Sequence, residues 1–224
     1  MALGINYEST GGDFLPIVKF DCRAGRMFRR DRANGENTDV DITRAFKAVI
    51  DLENLETGWM NFDTGGAPDF AMSVWGKGET PAKPSDKHRL GVRLVLKLHK
   101  DCGGDVREFA GNAKALVRGI DGLHDEYLAG VKSNPGKLPV VVLDDTVPIT
   151  TGEGARKSTN YAPVFKITNW VARPEDLVHE PRSSSASTNQ PASSSAAASP
   201  PATGSTRVPP PAAAPAPAAD DDFG

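Results

Sequence analysis

The stretch "LGVRLVLKLHK" alternates with a period of two. Val92, Leu94, Leu96 and Leu98 fall on one side; Arg93, Lys97 and His99 fall on the other, with Val95 among them. Successive side chains of a strand point to opposite faces, so this pattern predicts a strand with one side on a core and the other on solvent or a ligand. The period then changes. In "GGDVREFAGNAKALVRGIDGLHDEYLAG", Val106, Phe109, Ala113, Leu116, Val117, Ile120, Leu123 and Tyr127 recur at helical spacing, and Asp105 sits where an N-cap belongs. Upstream, "FLPIVKFDC" and "GRMFRRD" predict a strand pair joined near Ala24 and Gly25. "RAFKAVIDLE", "GWMNF" and "PDFAMSVWG" predict further short strands between turn residues. After the helix come "KLPVVVLDD" and "YAPVFKITNWVARP", both strand-like, with "SNPGK" and "TTGEGARKST" as loops.

Several strands, one helix and two more strands predict a mainly β domain over residues 1–180. The order fits an OB-like five-stranded barrel with extra strands and one helix, an architecture that often binds oligonucleotides on one face. The pattern stops after "NWVARPEDLVHE". Between residues 181 and 219 the only large aliphatic residue is Val208, no aromatic occurs, and Arg182 and Arg207 are the only charges. Such a segment cannot bury enough apolar surface to offset the entropy of ordering it, so a disordered Pro/Ser/Ala-rich linker is expected. As a flexible coil of about 40 residues it would have an r.m.s. span of roughly 35 Å. Residues 220–224, "DDDFG", add an acidic tip with one aromatic. An aromatic beside negative charge on a long tether suits a basic-rimmed apolar pocket on a partner protein.

Charge sharpens the picture once its arrangement is considered. The 224 residues carry a formal net charge of -3, which does not advertise nucleic-acid binding. Yet "KFDCRAGRMFRRDR" sets Lys19, Arg23, Arg26, Arg29, Arg30 and Arg32 against only Asp21 and Asp31, with Phe20 and Phe28 inside it. On a strand, Arg26, Phe28 and Arg30 point the same way. Bases can stack on such a ring while the guanidiniums neutralise phosphates. A second basic set is "KHRLGVRLVLKLHK", with Arg93 and Lys97; a third is "GARKSTNYAPVFK", with Arg156, Lys157 and Tyr161. Trp75 beside Lys77 in "WGKG" is a better stacking candidate than Trp59.

Other chemistry finds little support. "GEGARKST" lacks the glycine that a phosphate-binding loop needs before its lysine, and extended sequence follows instead of a helix. His99 and Cys102 have ligand-like spacing, but no second close pair completes a metal site. "HDE" at residues 124–126 reads as exposed helix positions, and Asp144 with Asp145 as a strand-ending turn. No nucleophile-and-base set stands out, so neither an enzyme nor a cofactor is expected. Cys22 and Cys102 give no disulfide framework. No apolar run is long enough to span a membrane, and "MALGINYESTGGDF" lacks the features of a signal peptide. A cytoplasmic setting is expected.

The basic-aromatic strand domain, the uncharged linker and the tip Asp220, Asp221, Asp222 and Phe223 together resemble bacterial and phage single-stranded DNA-binding proteins. The resemblance implies an OB-type domain that binds single-stranded DNA. It also implies a tip that recruits replication, recombination and repair proteins and competes with DNA for the domain, and it is compatible with a homo-oligomer. In the bacterial family the tip ends on phenylalanine after Ile-Pro, whereas here Phe223 follows Asp222 and precedes Gly224. That departure, with the longer body, favours a phage version acting in the host cytoplasm. The competing class is a virion or scaffold protein, with the domain as a protein-interaction module.

Overall fold

The computed structural model describes residues 15–180, apart from residues 152, 155 and 156. The expected linker and tip therefore lie outside the described residues. Ten strands and one α-helix follow in the order β1 (Ile17–Asp21), β2 (Arg26–Ala33), β3 (Glu36–Asp41), β4 (Lys47–Ile50), β5 (Glu56–Asn61), β6 (Asp69–Val74), β7 (Arg89–Leu98), β8 (Val106–Gly111), α1 (Lys114–Val131), β9 (Lys137–Thr151) and β10 (Ser158–Ala172). The domain is mainly β, as the pattern predicts.

The strands form one mixed sheet in the order β10-β9-β4-β7-β8-β1-β2-β3, with β5 on β7 and β6 on β5. β1 and β8 are parallel; the other pairs are antiparallel. This is not a closed five-stranded barrel. Among the described residues no ladder joins β3 or β10 to a further strand, and the sheet stays open. The polar strand β3, "ENTDVD", is a hydrated end of the sheet that the hydrophobic pattern could not reveal.

β7 is the hub. One of its edges takes β8, while the other is shared by β5 near Arg89–Arg93 and β4 near Leu96–Leu98. Val92, Leu94, Leu96 and Leu98 enter the main core with Val18, Met27, Phe109 and Phe165, beneath Leu116, Ile120 and Leu123 of α1. Burying each leucine fully contributes about 1.5–3 kcal/mol. The opposite face of β7 is not open, contrary to the alternation. Val95 packs with Leu138 and Leu177, and residues 173–179 return across the sheet. There Arg173 pairs with Asp51 and Glu53, Lys97 with Asp176, and His179 with Glu56. A distant segment thus covers what the local pattern left exposed.

The helix begins later than its periodicity suggests. Val106 and Phe109 belong to β8, and Ala113, not Asp105, occupies the N-cap position. Asp105 instead receives Arg107. The three-residue spacing of Val106 and Phe109 coincided with a helical period, but sheet neighbours on both edges hold this segment extended. From Leu116 to Tyr127 the helical face is as expected. Its seat is tight: a Cβ on Gly119 would lie 2.5 Å from the Pro163 carbonyl. His124 is buried, contrary to the exposed position expected, and its ring lies 4.3 Å from that of Trp75. Burial pushes the His124 pKa below its ordinary value, partly opposed by Asp125 and Asp121. Asp144 and Asp145 do not end β9; they sit at a bulge opposite Val164 and Phe165.

Candidate nucleic-acid interface

Strand alternation sends Val18, Phe20 and Met27 into the core, and Lys19, Arg26, Phe28 and Arg30 to the opposite face of β1 and β2. The Lys19 ammonium lies 5.4 Å from the Phe28 ring centroid. The register then adds what the basic segment did not contain. β3 places Asp41 opposite Phe28 and Asp39 opposite Arg30. Arg30 donates to Asp39 at 2.8 and 3.1 Å, Lys19 also pairs with Asp39, and Arg26 pairs with Asp41 at 2.9 Å. The Arg30 hydrogen bond, reinforced by Lys19, holds the Asp39 carboxyl down at about 2. This face therefore combines a ring with cations that already have carboxylate partners.

Arg29 points to the other side of β2 and pairs with Asp31 at 3.0 Å. Arg23 and Arg32 are exposed and form no ion pair among the described residues. Tyr161 joins this region from far along the chain. Its backbone N–H donates to the Cys22 carbonyl at 2.6 Å, and its ring lies against Gly25, where φ is 66° and a Cβ would meet the ring at 3.0 Å. Lys157 is exposed before β10, while Arg156 lies outside the described residues, as do Asp220, Asp221, Asp222 and Phe223.

Arg93 is the clearest correction. It is 3% exposed and lies between Glu56 at 2.5 Å and Glu108 at 2.9 Å. Buried between two carboxylates, it has no surface to offer a phosphate. Desolvation acts to lower its pKa, but Glu108 and Glu56 outweigh it and hold the guanidinium above its usual range. Lys97 keeps partial exposure and, with Lys47, His99 and Lys100, lines a cavity of about 480 Å³ whose floor includes Val49 and Val140. Trp75 is 49% exposed but packs on α1 through His124, and Lys77 donates to Asn54. Trp59 donates its indole N–H to the Pro81 carbonyl at 2.9 Å and has Lys83 over its ring. The predicted residues thus occupy several surfaces.

One basic surface escaped the sequence reading. Lys87, just before β7, lines one cavity with Arg89 and Asn112, and Arg89 and Asn112 line a second with Lys114 and Arg118 of the first two turns of α1. The signal was split between "KHRLG" and "NAKALVRG", which only the fold brings together. Among the described residues, no group of three or more His, Cys, Asp or Glu is placed to hold a metal ion, and no helix is long and apolar enough to cross a membrane. Comparison with protein-family models, curated proteins and solved structures returns no match.

Proposed function

We propose that the protein binds single-stranded DNA without strong sequence preference during phage or bacterial replication, recombination or repair, and recruits partner proteins through its acidic tip. The observation that carries this reading is the outer face of β1 and β2, where Phe28 stands among Lys19, Arg26 and Arg30. A ring among cations suits stacked bases and a passing phosphate backbone. The reading treats the domain as OB-like. Its support is the main core shared by sheet and helix, and the Tyr161–Cys22 hydrogen bond that draws β10 toward the end of β1. No cofactor is required, and the setting is the cytoplasm of the host cell.

The test is binding of labelled oligonucleotides to the full chain. Single strands should be preferred to duplex, since stacking needs exposed base faces. Affinity should fall with salt at a log–log slope of about −0.7 per phosphate neutralised. Phe28→Ala should cost roughly 1–3 kcal/mol of binding if a base stacks there. Truncation after residue 180 should tighten binding at low salt, because it removes three tethered carboxylates that compete with phosphate. Equal affinity for duplex, or no response to salt, would remove the reading.

A further inference from the structure

Two shallow cavities share Arg89 and Asn112. One, of about 500 Å³, is lined by Phe62 and Lys87 as well; the other, of about 490 Å³, continues along Leu90, Lys114 and Arg118. Together they make a groove from the end of β5, past the start of β7, to the first turns of α1.

Three features set this groove apart. Its cations are unanswered: Lys87, Arg89, Lys114 and Arg118 are all exposed, and none forms an ion pair among the described residues. The groove's acidic residues are Asp63, Asp86 and Asp121, of which Asp86 is met by Lys83. Its apolar groups are open to solvent: Phe62 is 44% exposed and Leu90 is 53% exposed. Exposed rings and aliphatics beside unpaired cations carry a hydration cost that a ligand with flat apolar faces and spaced anions relieves. Finally, its frame is packed. Phe62 is braced edge-on by Phe70 with centroids 5.9 Å apart. His88, buried between Lys87 and Arg89, is hydrogen-bonded to Ser85 through Nδ1 at 2.8 Å. Lys114 and Arg118 are one turn apart on α1 and so share a helix face.

We propose that this groove is a binding site for single-stranded nucleic acid, distinct from the Phe28 face. Phe62 and Leu90 lie under bases, Lys87, Arg89, Lys114 and Arg118 take phosphates, and the Asn112 amide meets a base edge. A single strand fits the chemistry better than a duplex, because the ring can be used only by a base whose face is free. The assignment rests on the single-strand reading above, but on different residues.

The experiment uses the full chain with fluorescein-labelled oligo-dT, followed by anisotropy over a series of KCl concentrations. Phe62→Ala should weaken binding about tenfold. The quadruple variant Lys87→Gln, Arg89→Gln, Lys114→Gln, Arg118→Gln should flatten the salt slope by about 2 to 3. Lys132→Gln, at the other end of α1, should leave both quantities unchanged. Far-UV circular dichroism checks the fold of each variant; if Phe62→Ala unfolds, the slope of the quadruple variant decides. Wild-type binding with unaltered affinity and slope in both groove variants would overturn this site and leave the single-strand reading standing. A wild-type chain that binds no oligo-dT would overturn both.

Discussion

Arg89 and Arg93 are four residues apart on β7 and project to the same side of the strand. One stands in open solvent, while the other is sealed in the sheet. The difference lies in their neighbours. β5 sets Glu56 opposite Arg93 but Met60 opposite Arg89, and Glu108 of β8 completes the cage around Arg93. His179 then closes over Glu56 from the returning C-terminal segment. A cation held within a buried charged triad is committed to its carboxylates; the same side chain, exposed and in no ion pair among the described residues, is free to meet a ligand. Counting basic residues along a strand therefore says little about binding until their partners are known. The outer face of β1 and β2 lies between these extremes, with exposed cations leaning on Asp39 and Asp41.

Arg93→Met should have the greatest consequence. It removes the guanidinium that lies between the buried carboxylates of Glu56 and Glu108, so stability should fall by about 3–5 kcal/mol, read as a lower urea midpoint. Adding Glu56→Gln and Glu108→Gln should recover much of the loss. An unchanged midpoint in the single variant would show that the triad is not sealed from water.

A smaller effect should sharpen the intermediate case. Asp39→Asn removes the carboxylate shared by Lys19 and Arg30. Under the proposed function the freed cations should tighten single-strand binding and steepen the salt slope by about 0.7 each. Weaker binding would mean that Asp39 positions these side chains and does not restrain them.

A weaker response, to pH, should come from the helix. His124 has its pKa lowered by burial, so the unfolded chain takes up a proton before the native one does. The stability it contributes is complete above the ordinary histidine range. It should decline as pH falls from about 6.5 toward the lowered native value. Trp75, in ring contact with His124, reports the change by fluorescence during urea titrations at several pH values. His124→Phe should flatten the profile in that window, and an unaltered profile would assign the response to another group.

Much of the fold was written locally. The alternation from Val92 to Leu98 defined β7, the recurrence from Leu116 to Tyr127 defined α1, and the turn at Gly25 defined the first hairpin. Each depends on residues close in sequence, whose side-chain directions follow from backbone geometry alone. β3 was invisible because a hydrated end strand has no apolar face to display, and β8 was misread because two of its residues happened to share a helical spacing. The candidate surfaces were less legible still. Arg26, Phe28 and Arg30 could be placed on one face from their spacing, but Asp39 and Asp41 came from the next strand. Phe62, Lys87 and Lys114 met only through the pairing of β5 with β7 and the seating of α1. Local order set the periods of β7 and α1 and the inventory of charges. Which charges are answered depends on the folded arrangement, because Arg93 meets Glu56 across 37 residues and Arg173 meets Asp51 across 122. Electrostatic pairing depends on distance in space, and no local period encodes it.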